Sequence, residues 1–509
     1  MSFDDPFSGY TVMLRVIIFG LVPVFTVLQF LRLRRALQVF QLEGYRRRRF
    51  LEWCGRNRRR ALWLGPAGGK KPLVMTGRAW RILVTATLLT PLLVLVASGV
   101  AHIALGGWPA DVITWIAATA LVFYFTSHVL VVADWILTPS QRAINATYMR
   151  AARRRLEDID PVVIGVTGSF GKTSTKFAIE GLIGPAERAL ATPGSFNTPL
   201  GVCRTINERL SAEHRYFIVE MGAYGVGEIA ELCRFVRPTI GVLTSIGPAH
   251  LERFGSLENI RRAKYELIES LPSNGVAVMN VDDPAVRELA DVTSHVRVVR
   301  YGLDPVGAPD VTASDVSTTT EGTALNIVHR SSAEAIAAQT KLLGRHAVGH
   351  LLAGVAVACS VSRPLGELTE AISILRPVEH RLQMIEGTGG ITVIDDAYNS
   401  NPDGAAAALE VLDSMPARRK VVVTPGMVEL GELQVAYNRA LGERAAAVAD
   451  TIIVVAGVNR EAITGGAGGA GAEVVAVDSL EEASARLRDL LAPGDVVLFE
   501  NDLPDQYES

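Results

Sequence analysis

The stretch TGSFGKTST, residues 167–175, carries the residue types of a phosphate-gripping loop. Glycines let successive backbone N–H groups turn toward phosphate oxygens, and a helix starting at the loop adds its positive end. The usable glycines are Gly168 and Gly171; Val166 stands where the commonest nucleotide loop has a glycine, five positions before its Gly-Lys pair. The loop is therefore a shortened one. Lys172 is expected to reach the β and γ phosphates, and Thr173 to offer a hydroxyl to magnesium. Thr167, Gly168, Ser169, Phe170, Gly171, Lys172, Thr173 and Ser174 together form the expected ATP cradle.

Such a loop works only between a strand and a helix, and VVIGVT followed by GSFGKTSTKFAIEGLI reads that way. YFIVEMGA, TIGVLTSI and VAVMNV repeat the pattern of continuous apolar runs, as in a parallel sheet covered on both faces. Glu220 closes YFIVE and His250 closes GVLTSIGPAH, both at the carboxyl edge where α/β folds bind ligands. Glu220 is a candidate magnesium ligand. In the helix expected after Ser256, Ile260, Ala263 and Leu267 make an apolar stripe, and Lys264 falls within it rather than opposite. Residues 292–343 alternate Thr, Ser and Val, as in a small antiparallel sheet. A helix over about 346–360 and a proline-containing joint near 377 lead to a second α/β unit: ITVIDDAY, KVVVTPGM, TIIVVAG and DVVLFEND. TGGAGGAGAE at 464–473 reads as a flexible surface connection.

The first third differs in kind. Residues 12–31, 83–105 and 112–136 are each near the roughly 20 apolar residues that span hydrocarbon. The alternative is a cleaved signal peptide followed by buried core helices, but the leader MSFDDPF is acidic where signal peptides are basic. Residues 32–81 carry RLRR, RRRR, RNRRR and KK, which belong on the cytoplasmic side and attract anionic membrane lipids. Three crossings then place the catalytic part in the cytoplasm, as a multi-pass protein of the cell (inner) membrane. The expected class is α/β: N-terminal transmembrane helices over 1–150, a phosphate-loop parallel-sheet domain over 151–375, and a Rossmann-like domain over 376–509. A net charge of −3 does not suggest a nucleic-acid partner. The four cysteines (Cys54, Cys203, Cys233, Cys359) lie far apart without zinc spacing and fit a reducing compartment.

TGSFGKTST is similar to the compact loop of the Mur ligases, which build peptidoglycan stem peptides. The resemblance continues through ATPGSFNTPLG, VEMGAYGVGEI, GPAHLERFGS, IRRAKYELIES, NVDDP, RLQ, DDAYNSNPD and PGMVELGE, over roughly two-thirds of the chain. These motifs resemble the D-alanyl-D-alanine-adding (MurF-like) branch. The resemblance implies that ATP phosphorylates a carboxylate to an acyl phosphate, which an amine attacks to form an amide. Anionic phosphate must approach anionic carboxylate, so fixed cations and in-line positioning carry the catalysis. It implies magnesium on Thr173 and Glu220, a second magnesium on His250, and a carbamate on Lys264. Lys172, Lys264, His250 and Arg381 become the catalytic set. By analogy, Asn280 and Asn197 lie near the nucleotide; Arg381 neutralises transferring phosphate and Asp395 touches nucleotide or cation. Tyr398, Asn399 and Asn401 match positions that close over ATP and the incoming amine.

Two motifs depart. GRHAVGH has Ala347 and His350 where the family pattern has asparagines, leaving base recognition open. PGMVELGE has Pro425 and Gly426 where soluble members show Gly and Asp, leaving the amine open. No segment resembles the small domain that grips the uridine diphosphate of soluble members' substrate. The expected activity is therefore ATP-dependent addition of an amino acid or short peptide to a membrane-presented, lipid-linked envelope precursor, with the membrane region either binding substrate or serving as a tether. The alternatives are a tethered UDP-N-acetylmuramoyl-tripeptide–D-alanyl-D-alanine ligase with a UDP-linked acceptor, and a polyglutamate or capsule ligase. A non-catalytic ATP-binding membrane scaffold and a transport ATPase are the remaining ones.

Overall fold

The computed structural model describes residues 8–62, 72–105, 108–194, 196–319, 322–387, 389–398, 400–469 and 471–502. The chain divides into two compact units, residues 1–147 and 148–509.

The first unit is helical: Ser8–Leu42, Arg47–Arg56, Arg58–Leu62, Gly77–Leu105, Trp108–Tyr124 and the start of Thr126–Ile159. Leu33, Leu37 and Phe40 pack with Phe50, Ile82, Leu83 and Leu130 in its core. Asp134, nearly buried, accepts from Arg47 Nε at 2.7 Å and Arg78 Nη2 at 2.9 Å, which ties part of the basic segment down. Among the described residues one helix, Gly77–Ala104, is long and apolar enough to cross a membrane. The first expected span, 12–31, lies on a continuous helix, but its side chains through residue 21 are outside the described residues. The third, 112–136, is not a straight helix: it breaks between Tyr124 and Thr126 with a 74° bend. The break has a local cause. Thr126 Oγ1 donates to Phe123 O at 2.7 Å, and the buried Arg32 guanidinium binds the same carbonyl while stacking on the Phe123 ring. A helix commonly kinks where a side chain captures one of its carbonyls.

The second unit holds two sheets. Strands β1 (Val162–Thr167), β2 (Ala189–Ala191), β3 (Tyr216–Glu220), β4 (Ile240–Leu243), β5 (Val276–Asn280) and β6 (Arg297–Tyr301) are followed by β7 (Val311–Thr319), β8 (Gly322–His329) and β9 (Glu334–Thr340). They form one nine-stranded sheet in the order β2-β3-β1-β4-β5-β6-β7-β8-β9. The first six are parallel, with register Val166↔Glu220 and Thr167↔Leu243. The antiparallel β7–β9 do not make a sheet of their own: β7 joins β6 at Tyr301↔Val311 and extends the parallel one. The central strands are buried throughout, matching their unbroken apolar runs.

The second sheet holds β10 (Gln383–Glu386), β11 (Thr392–Asp396), β12 (Lys420–Thr424), β13 (Thr451–Val455), β14 (Glu473–Val477) and β15 (Val496–Glu500). Its order is β10-β11-β15-β12-β13-β14, parallel except for β10. The glycine-rich 464–473 segment is only partly a connection, since the helix Arg460–Ala467 takes its first four residues. Gly466 is needed there: a Cβ would sit 2.0 Å from Arg439 O of the neighbouring helix.

Candidate active site

The phosphate loop leaves β1 and enters the helix Lys172–Glu187. Gly168 and Gly171 have φ of +154° and +77°, and added Cβ atoms would meet Thr244 Oγ1 at 2.0 Å and His350 Cε1 at 2.3 Å. Both positions require glycine. The segment after β4 braces the loop: Phe170 N donates to Ser245 Oγ at 3.0 Å, and Ser169 Oγ exchanges bonds with Gly247 N and O. Thr167 Oγ1 donates to Met221 O, so it supports the loop from below. Lys172 folds over the loop, donating to Gly168 O at 2.7 Å. Burial, opposed by Glu220 and helped by Arg381, brings its ammonium down to about 8.

Glu220 ends β3 beside the loop, fully buried. Its carboxylate accepts from Thr173 Oγ1 at 2.9 Å, Lys176 Nζ at 3.2 Å and Asn197 Nδ2 at 3.2 Å. Thr173 and Glu220 are thus adjacent hard-oxygen donors, and Asn197 donates to the same carboxylate. Among the described residues no three His, Cys, Asp or Glu converge on a metal position. A threonine hydroxyl plus one carboxylate still suits magnesium, which keeps waters and takes the rest from substrate phosphates.

His250 begins the short helix Leu251–Phe254 with a left-handed φ of +56°. Its Nδ1 bonds to Glu429 of the second α/β domain, and its ring meets Tyr224 edge-on at 5.0 Å. Lys264 lies in the stripe of the helix Leu257–Glu269, 4% exposed, where its Nζ forms no hydrogen bond among the described residues. Burial, with Lys172 adding to it, lowers its pKa to about 7.

Arg381 faces these groups from the second domain, stacked 4.4 Å over the Tyr398 ring. A cavity between the two domains is lined by Phe170, Gly171, Ser174, His350, Arg381 and Asp396. Asp396 is the acid in this cavity, pushed up to about 6 chiefly by burial. Asp395, the residue expected at nucleotide or cation, is bonded to His380 Nδ1 at 2.7 Å and accepts from Ala397 N. Asn401 lines the cavity but spends its Oδ1 on Gly404 N, capping the helix Pro402–Ser414. Tyr398 is half exposed, and Asn399 lies outside the described residues.

A second cavity adjoins the first at Phe170, His346 and His350; Asn280, Tyr301 and Asp403 line it further out. Asn280 Nδ2 is bonded to Thr244 O at 2.9 Å. Sequence reasoning missed the histidine pair as loop contacts. His346 stacks on Phe170 at 4.8 Å, and His350 lies within 3.2 Å of Thr175 Oγ1; burial holds both below ordinary imidazoles, His346 at about 4. Their four-residue spacing on one helix face was the available signal. Glu429, which reaches His250 from the second domain, was missed as well.

A phosphate loop on one parallel sheet, faced by an arginine and an acid from another, defines an enzyme of nucleotide-driven group transfer. Residues 166–358 match the Mur ligase middle domain, and residues 380–500 match the Mur ligase glutamate ligase domain. The UDP-N-acetylmuramoyl-tripeptide–D-alanyl-D-alanine ligase of Mycobacterium tuberculosis is 37% identical over 358 residues, 66% of this chain and 69% of that protein. Among solved structures, MurF of Acinetobacter baumannii aligns with a TM-score of 0.64 and 26% identity over 71% of this chain and 78% of its own. MurF of Thermotoga maritima in complex with ADP aligns at 0.63, 28% identical, over 70% and 80%. The chain belongs to the Mur ligase family. It is an ATP-dependent ligase that forms carbon–nitrogen bonds.

Proposed function

We propose that this ligase joins the amine of a D-alanyl-D-alanine-type dipeptide to a carboxylate of a UDP-linked muramoyl tripeptide. The likeness to relatives of that name supports the substrates. The observation that carries the reading is one cleft holding Lys172, the Thr173–Glu220 pair and Arg381. In this reading residues 167–174 grip the phosphates of ATP and Asn280 lines the base side. Arg381 offsets charge on the transferring phosphoryl group. An oxygen of the acceptor carboxylate takes that group as its bond to ADP breaks, and the amine then attacks the acyl carbon, displaces inorganic phosphate and gives up a proton to solvent. Magnesium, held by Thr173 and Glu220, would neutralise phosphate charge. His250 is assigned to a second ion, together with a carbamate on Lys264; carbamylation needs the neutral amine that burial favours. Tyr398, Asn399 and Asn401 are assigned to the amine side, and Asp396 is better placed than Asp395 to serve the nucleotide.

A second reading, with a lipid-linked acceptor, is favoured by the apolar helix Gly77–Ala104, where Leu88, Leu95, Val100 and Ile103 are exposed. Residues 1–150 would then hold the enzyme at the cytoplasmic face of the membrane, with 151–375 binding ATP and 376–509 closing the site. Both readings meet one experiment: full-length protein in detergent with ATP, magnesium, D-alanyl-D-alanine and either UDP-linked or lipid-linked acceptor. Phosphate release with the matching mass gain on the UDP-linked species supports the first reading. Turnover on the lipid-linked species alone replaces it with the second, and turnover on neither overturns both.

A further inference from the structure

His250 and Glu429 are 179 residues apart and belong to different α/β domains, yet they are joined side chain to side chain. The bond does not stand alone. Arg253 binds the other oxygen of Glu429 and stacks 4.2 Å over Tyr224, the ring that also meets His250. Glu252 N donates to Glu429 O at 3.2 Å. Both partners hold uncommon left-handed backbones, φ +56° at His250 and +64° at Glu429. Such conformations persist where the surroundings over-determine them, often at functional sites.

The loop that carries Glu429 is built to hold it still. Buried Asn438 accepts from Met427 N at 2.8 Å and donates to Met427 O at 2.9 Å. Asn459 Nδ2 donates to Pro425 O at 3.0 Å, and Asn501 Nδ2 donates to Gly426 O. Gly426, at φ +77°, fits inside this cage because a Cβ would come within 2.4 Å of Asn438 Oδ1. A rigid loop from one domain thus presents a carboxylate to Nδ1 of an imidazole in the other. A carboxylate on one ring nitrogen fixes which nitrogen is left to a ligand and how the ring is turned.

We propose that Glu429 is a positioning residue for His250, supplied by the second domain, so that His250 is aligned for its ligand role only while the domains are docked there. This rests on the reading of His250 given under the proposed function. The test uses the full-length enzyme with Glu429→Gln, which keeps the side chain's shape, alongside Glu429→Ala, Glu429→Asp and His250→Ala. Outer partners of metal ligands are worth about 10–100-fold in affinity or activity. Glu429→Gln is therefore expected to lower kcat about 10–100-fold and weaken Mn2+ binding to the enzyme–ADP complex, read by electron paramagnetic resonance, by about 10-fold. The KM for ATP stays within about threefold, and Glu429→Asp recovers part of the loss. In the His250→Ala background, removing Glu429 adds nothing further, as coupled residues require. If His250→Ala cripples Mn2+ binding while Glu429→Gln and Glu429→Ala both match wild type, the positioning role is overturned and the reading of His250 stands. If His250→Ala itself leaves Mn2+ binding intact, the reading of His250 fails and takes the positioning role with it.

Discussion

Lys264→Met separates what the buried lysine does for activity from what it costs the fold. The structure places Nζ where the chain is 4% exposed and gives it no hydrogen bond among the described residues. Burial first, and Lys172 next, lower its pKa from 10.5 to about 7. At about 1.4 kcal/mol per unit, such a shift amounts to roughly 5 kcal/mol as a ceiling. Relaxation and water penetration leave about half of that. Met has similar length and flexibility and carries no charge, so it fills the same space. At about 2–4 °C per kcal/mol for a domain of this size, Lys264→Met should raise Tm by roughly 5–10 °C near pH 7 in CO2-free buffer.

The sign of the pH dependence follows from the depressed value. Between about 7 and 10.5 the unfolded chain binds the proton and the folded one does not, so wild-type stability rises with pH through that window. Lys264→Met lacks this rise, and its advantage therefore shrinks toward zero by about pH 10.5. Thermal melts of both proteins from pH 6.5 to 10.5 measure the difference directly. Bicarbonate at pH 7.5 should stabilise only the wild type, and ligation should vanish in the variant and return in part with small carboxylic acids. A variant that melts below wild type at pH 7, or a Tm difference that stays flat with pH, refutes the burial argument. Full ligation by Lys264→Met refutes the carbamate.

Two further substitutions probe other parts of the site. Gly171→Ala forces a left-handed non-glycine backbone, about 1–2 kcal/mol, and drives a Cβ to 2.3 Å from His350 Cε1. Nucleotide affinity should fall about 10–100-fold by calorimetry, and Gly171→Ala/His350→Ala should recover part of it; equal losses in single and double variants exclude the contact. Glu500 is fully buried, and burial with Asp396 beside it pushes its carboxyl up to about 8. Wild-type stability should then fall as pH rises from about 4.5 to 8, because the unfolded chain releases that proton first. Glu500→Gln should match wild type near pH 5 and exceed it by roughly 3–6 °C in Tm near pH 8; a constant offset contradicts the shift.

The features legible in the sequence are those set by local spacing. The loop's glycines, the strand end at Glu220, the helix start at His250 and the stripe containing Lys264 each depend on a dozen neighbouring residues at most. What escaped depends on pieces brought together from afar. Asp395 and Asp396 end one strand and point to opposite faces, so the letters DD do not tell which faces the cleft. In the fold Asp396 lines the cavity while Asp395 meets His380. His350 reaches Gly171 only because the helix Gly344–Ser360 lies against Lys172–Glu187. Hydropathy read 112–136 as one span because it cannot register a carbonyl held by Arg32 from another helix.

The site's cations are strained against one another, and that bears on why two domains are used. After burial, Lys172 is lowered further by Arg381, and Lys264 by Lys172. Glu220, already shared with Lys176, opposes the shift at Lys172, and Asp396 first, then Tyr398 and Glu220, oppose it at Arg381. A bound triphosphate would add negative charge beside Lys172 and Arg381 and so ease the repulsion between them. Reaction then needs that same positive field to persist while a second anion, the acceptor carboxylate, approaches the phosphate. Arg381 is the cation that the second domain adds, and it already acts on Lys172 across the cleft.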